Sequence, residues 1–216
     1  MAERLGASYI QLLAPQRSFG GSPDERDLLA YFEAVARESA LPQVLYLNPG
    51  PGADVSIPTT IALSKLPRVA LIKESSRDLA RVSRLIVEID HAGHARYLTT
   101  VQMLLISLLL GGSGATMPAP AAEIARGVID ALAVGDHAKA TELQLGFALF
   151  PARWMHRGLT PTMKTALELI GIPVGGLYPP YQTLDARERA ALRAHLATTP
   201  LARRLIEQPH QATDRS

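Results

Sequence analysis

Apolar segments of strand length recur over residues 1–134, and each is separated from the next by a segment with helical periodicity. Two of them, 44–47 and 69–72, are apolar at every position instead of at alternate positions. Continuously apolar strands joined by helices are typical of a parallel sheet that helices cover. The predicted strands are 9–13, 44–47, 69–73, 96–99 and 114–117.

The segments between these strands place apolar residues on one face of a helix. In the first of them, Leu28 and Phe32 fall on one stripe, and Ser22 with Pro23 resembles an N-cap followed by a first-turn proline. After residue 134 only helical patterns follow. The pattern therefore predicts an α/β domain over residues 1–134 and a C-terminal helical region over 135–216. The predicted helices run from Ser22 to about residue 39 and over 58–64, 78–89, 101–110, 121–134, 136–150, 160–170 and 185–207.

Composition narrows the classes of protein that fit. The net charge of +2 is too small to indicate a nucleic acid or an anionic membrane as a partner. The chain has no cysteine, which excludes disulfides and thiolate metal sites and is typical of a cytoplasmic protein. Its longest apolar run, 103–110, is far shorter than the ~20 residues that cross a bilayer. The six histidines are scattered, so we expect no metal and no other cofactor.

Lysine is scarce in this chain, and one lysine occupies a special position. Lys73 alone among the lysines lies at the carboxyl end of an apolar strand, in VALIKESS. Ligands of parallel α/β proteins bind at that end of the sheet. Partial burial lowers the pKa of an ammonium group and supplies the free amine that attacks a carbonyl. The structural alternative is a lysine that reaches from the strand end to Glu74 or another carboxylate.

Tyr46 is the second candidate, because it lies at the carboxyl end of the preceding strand. Neighbouring parallel strands are about 5 Å apart, so side chains at two strand ends can converge on one site. A phenol close to an imine can transfer protons while a carbinolamine loses water. The alternative is a half-buried tyrosine at the rim of the sheet, without a chemical role.

Together, LYLNP and VALIKESS resemble the dihydrodipicolinate synthase and N-acetylneuraminate lyase family of class I aldolases. That family has a tyrosine in a strand end similar to YNxP, and at nearly the spacing seen here it has an imine-forming lysine in IKE or IKD. The likeness covers nearly all of the chain. Residues 5–15 resemble the family's fourth strand with its approach, and residues 111–114 resemble its eighth-strand glycine cluster. Residues 135–140 and 164–179 resemble the opening and the closing segment of its C-terminal helices.

The resemblance implies a fold, a reaction and a site. The fold would be a partial (β/α)8 TIM barrel, about strands four to eight, followed by the C-terminal helical region. The protein would be a lyase in which Lys73 forms a Schiff base with pyruvate or a related 2-keto acid, while Tyr46 relays protons. Family members form homotetramers, so a homo-oligomer, either a tetramer or a dimer, is implied. The expected substrate-binding residues are Thr116, Gly114 and Arg17.

Two of these expectations have competing interpretations. Arg17 could contact the substrate carboxylate, or it could be a solvated loop arginine. The cluster Gly111-Gly112-Ser113-Gly114 could bind an anion through its backbone N–H groups, but it lacks the spacing of a phosphate loop. A tight turn into the last strand is the better interpretation of that cluster.

The chain departs from the family pattern at several substrate-facing positions. Pro51 replaces a carboxylate-binding arginine, Leu47 replaces the asparagine after the tyrosine, and Gln16-Arg17 follows Pro15 where an aromatic pair is expected. The end of the fourth predicted strand reads Leu-Thr-Thr instead of containing Gly-Asp. These changes favour a 2-keto acid outside lysine biosynthesis, with a 2-keto-3-deoxy sugar acid dehydratase or aldolase as an alternative.

The start of the chain suggests a different hypothesis. Its first residues correspond to the approach to the family's fourth strand, and the family's GTTGE loop, which holds the substrate carboxylate, does not occur in the sequence. Five barrel strands cannot close, so two edges would stay unpaired. A truncated, catalytically inactive family member, or a fragment, therefore competes with the enzyme hypothesis.

Overall fold

The computed structural model describes residues 2–15, 23–47, 55–147 and 152–206. Contacts divide the chain into two compact units, 1–116 and 117–216. The boundary at residue 134, which the sequence suggests for a barrel domain and a helical region, remains a prediction.

Within the described residues, the first unit is built on one sheet of five parallel strands in chain order. Each strand pairs with the next one along the chain, and a helical segment lies in every connection. This arrangement confirms the predicted α/β class, in which parallel strands alternate with helices. The strands are β1 (Ile10–Leu13), β2 (Gln43–Leu47), β3 (Val69–Glu74), β4 (Arg96–Thr100) and β5 (Gly114–Thr116).

The helices of the first unit differ from the predicted ones mainly at their ends. The first helix begins after Asp24, which is its N-cap. The backbone of Asp24 is extended, and its side chain accepts a hydrogen bond from the Asp27 N–H. The prediction of Ser22 as the N-cap was wrong. The predicted helix 78–89 is an α-helix that continues as a π-helical turn, Ile86–His91, and the predicted helix 101–110 opens with a 3-10 turn. The helices are α1 (Glu25–Glu38), α2 (Ile57–Ser64), α3 (Leu79–Leu85) and α4 (Leu104–Leu109).

The two faces of the sheet differ in burial. On the face towards the helices, Leu45, Ile72 and Tyr97 are buried completely or nearly so. On the other face, Val44 and Leu98 are only half-buried. Since successive side chains of a strand point to opposite faces, this difference separates a covered layer from an open one. The core of the unit consists of Ala14, Leu28, Phe32, Leu45, Leu47, Val55, Leu63, Val69, Ile72, Val82, Leu85, Ile86, Ile89 and Tyr97.

The second unit is helical in its described residues. Its helices are α5 (Ala122–Ala133), α6 (His137–Leu145), α7 (Leu159–Leu169) and α8 (Ala186–Ala197). The last one ends before Pro200, where a 3-10 turn begins, and not at residue 207 as predicted. A proline disfavours helical backbone in the residue before it, which accounts for the break. The predicted helix 136–150 is also shorter, and its residues 148–150 lie outside the described part.

Among the helices that the structure describes, none combines the length and the apolar character needed to cross a membrane.

Candidate active site

The carboxyl ends of β2 and β3 place Tyr46 and Lys73 side by side. The two residues are direct partners in the strand register, so their side chains lie on the same face of the sheet. The Lys73 side chain is buried, with 8% of its surface exposed. Its Nζ atom lies 3.5 Å from the centroid of the Tyr46 ring, which is a cation–π contact when the amine is protonated. The predicted convergence of the two residues is therefore present in the structure.

Lys73 also makes a short hydrogen bond, and its partner is a hydroxyl group. Nζ donates to the Ser75 Oγ atom at 2.6 Å. Among the described carboxylates, none forms a salt bridge with Lys73. The structural alternative, in which the amine reaches to Glu74, is therefore not what the structure shows.

The surroundings of Lys73 lower the pKa of its amine. Burial lowers the pKa of Lys73, and this effect exceeds the opposing influence of Tyr46 and Glu74, which raise it. Burial also raises the pKa of the Tyr46 phenol, but interactions with Lys73 and Ser75 lower that pKa by more, so the net change is downward. The phenol is therefore a stronger acid, and the amine loses its proton more readily, than either group would in water.

Glu74 points to the opposite, helix-covered face, where it is held by two groups. Its carboxylate, 1% exposed, accepts two hydrogen bonds from Arg81 Nε at 3.0 and 3.1 Å and a further one from Arg81 Nη2. The Tyr97 hydroxyl donates to it at 2.9 Å, and burial beside this carboxylate raises the pKa of Tyr97. Arg81 Nη2 also donates to the Val55 carbonyl at 2.8 Å. The network fixes the strand end that carries Lys73.

The next two strands extend the same open face. Leu98 on β4 is the register partner of Lys73, and Gly114 on β5 is the partner of Leu98. Further along, Thr100 pairs with Thr116, which is half-buried. Two of the predicted substrate-binding residues, Gly114 and Thr116, thus lie on β5, the last strand of the sheet. The third, Arg17, lies outside the described residues.

The glycine cluster before β5 is engaged in turn contacts. The Gly111 N–H donates to the Leu108 carbonyl, and the Gly112 N–H donates to the Ser107 carbonyl. The Ser113 N–H donates to the Asp90 carboxylate at 2.7 Å. Since these three amide groups are already used, the structure supports the tight-turn interpretation over the anion site.

Two hydroxyl groups of this region were not among the site residues predicted from the sequence. Ser75 follows Lys73 by two positions, and no pattern indicates that its side chain turns back to the amine. Thr100 carries a buried Oγ1 atom that has no hydrogen-bond partner among the described residues. The described residues also contain no group of three or more His, Cys, Asp or Glu side chains that could hold a metal ion.

The structure thus places a buried lysine and a tyrosine side by side at the carboxyl edge of a parallel β/α sheet, the edge at which ligands of such folds bind. Residues 2–199 match the model of the dihydrodipicolinate synthetase family. Because the match extends over most of the chain, the protein belongs to this family.

Relatives agree with this assignment. A 4-hydroxy-tetrahydrodipicolinate synthase 1 of Streptomyces coelicolor is 30% identical over 198 residues, which cover 89% of this chain and 63% of that protein. A second synthase of the same organism is 31% identical over 200 residues, with 91% and 64% covered. The chain thus spans somewhat less than two thirds of the length of these relatives.

A solved structure of the same family has a similar fold. YagE, a prophage protein of the dihydrodipicolinic acid synthase family from E. coli K12, was crystallised in complex with pyruvate. It is 28% identical and superimposes with a TM-score of 0.78 over 90% of this chain and 67% of YagE. Together with the five-stranded parallel sheet, this match confirms the predicted partial TIM-barrel fold.

Proposed function

We propose that this protein is a lyase of the class I aldolase type, in which Lys73 forms a Schiff base with pyruvate or a related 2-keto acid. The observation that carries the proposal is the buried Lys73 amine, whose pKa is lowered by that burial and whose Nζ lies over the Tyr46 ring. A neutral amine at the carboxyl edge of a parallel sheet is suited to attack a ketone.

The chemistry begins with Lys73 as the nucleophile. Its nitrogen attacks the ketone carbon of the keto acid, and the carbonyl oxygen becomes the hydroxyl of a carbinolamine. Loss of that hydroxyl as water leaves an iminium group, which withdraws electrons from the neighbouring carbon atom. Loss of a proton from that carbon gives an enamine, which adds to an aldehyde or expels a neighbouring hydroxyl group as water. In the cleavage direction, the enamine forms when the aldol carbon–carbon bond breaks and the aldehyde leaves.

Tyr46 is proposed as the proton relay for these steps. Its phenol lies beside the Lys73 amine, and its pKa is lowered by the interactions with Lys73 and Ser75, which outweigh the effect of burial. A phenol with a lowered pKa is a better acid, so it can protonate the departing hydroxyl of the carbinolamine.

The proposed substrate contacts are two residues of β5 and Arg17, which follows β1 in sequence. Gly114 is buried and is the register partner of Leu98, which is in turn the partner of Lys73, so it lies two strands away from the amine at the same level of the sheet. The hydroxyl of Thr116 and the guanidinium of Arg17 are the proposed partners of the substrate's polar groups. Assembly into a homo-oligomer is a further prediction from the family resemblance, and a cytoplasmic location is one from the cysteine-free composition.

Pyruvate is the first keto acid to test, because YagE was crystallised with it. The relatives named above are synthases of 4-hydroxy-tetrahydrodipicolinate. This chain has Pro51 where a carboxylate-binding arginine is expected and Leu47 in place of the asparagine. These departures favour a substrate outside lysine biosynthesis, and a 2-keto-3-deoxy sugar acid is the alternative.

Reductive trapping tests the proposed function. The full chain is incubated with pyruvate and borohydride, and its intact mass is measured; we expect the addition of one reduced pyruvate. The variant Lys73→Met should gain no adduct, whereas Lys65→Met, which removes an exposed lysine at the end of α2, should react like the wild type. A folded wild-type protein without adduct would contradict the proposal and favour a catalytically inactive family member.

A further inference from the structure

The contact between Lys73 and Ser75 has the geometry of a proton path. The distance of 2.6 Å from Nζ to Oγ is short for a nitrogen-to-oxygen hydrogen bond. Ser75 is half-buried, directly after β3, so its hydroxyl is held by the same strand end as the amine. The same Nζ atom lies 3.5 Å from the centroid of the Tyr46 ring, and hydrogen bonding to Lys73 and Ser75 lowers the pKa of the Tyr46 phenol against the effect of burial.

We propose that Ser75 is a further catalytic residue, which carries a proton from the Lys73 amine to the Tyr46 phenol while the carbon–nitrogen bond forms. The inference rests on the proposed function, because it concerns the same amine. A hydroxyl group is suited to this role, since it accepts one hydrogen bond and donates another.

The protons balance along this chain of groups. When the Lys73 nitrogen attacks the ketone, the nitrogen becomes positive and the carbonyl oxygen becomes negative. The nitrogen then gives one proton to Ser75 Oγ, Ser75 gives its own proton to the Tyr46 oxygen, and Tyr46 gives its proton to the carbinolamine oxygen. Each hydroxyl regains the hydrogen that it loses, and one proton has moved from nitrogen to oxygen.

The structure gives the alternatives less support. Glu74, next to Lys73 in sequence, points to the opposite face, where Arg81 and Tyr97 occupy its carboxylate. Ser76 accepts a hydrogen bond from the Asp78 N–H at 3.1 Å and so belongs to the start of α3. The Lys73 amine instead donates to the Ser75 hydroxyl at 2.6 Å, on the face of the sheet that it shares with Tyr46.

The test compares Ser75→Ala with Ser75→Thr, which keeps a hydroxyl, and with Ser76→Ala as the matched control. The measurement is the rate of borohydride-trapped adduct formation at saturating pyruvate, as a function of pH. We expect Ser75→Ala to lower the plateau rate by about 10²-fold, the lower end of what a proton-transferring group contributes. Ser75→Thr should stay within a few-fold of the wild type, and Ser76→Ala should match it.

The outcomes separate a relay from a structural role. A hydroxyl that only positioned the amine would, when removed, shift the pH midpoint or the pyruvate requirement and leave the plateau rate at saturation unchanged. An unchanged plateau rate in Ser75→Ala would therefore overturn the role of Ser75 in proton transfer. Formation of the adduct in that variant would still support the Schiff base at Lys73. Absence of any adduct in the wild type would instead overturn the proposed function.

Discussion

At the scale of single residues, Lys73 is subject to opposing influences on its charge. Burial disfavours the ammonium form, whereas the Tyr46 ring at 3.5 Å and the neighbouring Glu74 favour it. Burial is the largest of these effects, so the pKa of Lys73 is lowered. The ring contact still gives the protonated amine a defined position over Tyr46.

The pH dependence of adduct formation follows from this shift. Only the neutral amine attacks a ketone, so the trapping rate should rise with pH and level off above the pKa of Lys73. Because that pKa is lowered by burial, the midpoint should lie below 10.5, the ordinary value for lysine. A rate that keeps rising through 10.5 would show that the amine titrates like an exposed one.

Tyr46→Phe separates the two contributions of the tyrosine. The variant keeps the ring over Lys73 and removes the hydroxyl, so the adduct should still form at Lys73. The exchange of pyruvate methyl hydrogens for deuterium, followed by NMR, reports enamine formation and should slow by about 10²-fold. Wild-type exchange in Tyr46→Phe would exclude the phenol from the relay.

At the scale of elements, the Glu74–Arg81–Tyr97 network joins β3, α3 and β4. The Glu74 carboxylate is 1% exposed and Arg81 is 16% exposed, so loss of one partner leaves the other charge poorly solvated. The network lies on the covered face, directly behind the strand end that carries Lys73. Its integrity therefore affects both stability and the position of the amine.

Glu74→Gln should destabilise the protein by about 3–5 kcal/mol, the range for breaking a buried ion pair. Denaturant unfolding followed by circular dichroism measures this change. Glu88→Gln is the matched control, because the Arg84–Glu88 pair is 54% and 38% exposed, and it should cost about 1 kcal/mol or less. If the free energy of unfolding fell equally in Glu74→Gln and Glu88→Gln, burial would not be what makes the Glu74–Arg81 pair important for stability.

Much at the element scale could be predicted from the sequence. Five apolar runs indicate five strands, and parallel neighbours with aligned ends bring Tyr46 and Lys73 together. Side-chain directions could not be predicted, because the turn of Ser75 back to Lys73 depends on backbone geometry after the strand. The ion pair between Arg81 and Glu74 likewise depends on how α3 packs against the sheet. Helix ends were the weakest predictions, as Asp24 shows, since several adjacent polar residues could cap α1.

At the scale of the whole molecule, the second unit has its own ionic anchor. Glu188, in the first turn of α8, accepts hydrogen bonds from Arg157 Nε at 2.9 and 3.0 Å and caps the backbone of Asp185. The hydrogen bonds from Arg157, together with the one from the Asp185 N–H, lower the pKa of Glu188 to about 2. The contact ties the start of α8 to the segment before α7.

This shift predicts how stability depends on pH. A carboxyl group with a lowered pKa stabilises the folded state above its unfolded value near 4.5, and that contribution is lost as the pH falls towards about 2. Glu188→Gln should therefore lower the melting temperature at pH 7, and the difference from the wild type should shrink between pH 4.5 and 2. Asp130→Asn, in the exposed Arg126–Asp130 pair, should change little at either pH. A difference for Glu188→Gln that persists at pH 2 would contradict the role of its charge.

Peptide mapping identifies which amine captures the 2-keto acid. The protein is treated with pyruvate and borohydride, digested, and sequenced by tandem mass spectrometry. We expect the modification on Lys73, in the peptide that contains IKESS, while Lys65, Lys139 and Lys164 remain unmodified. A modification distributed over several lysines, or located on one other than Lys73, would contradict this expectation.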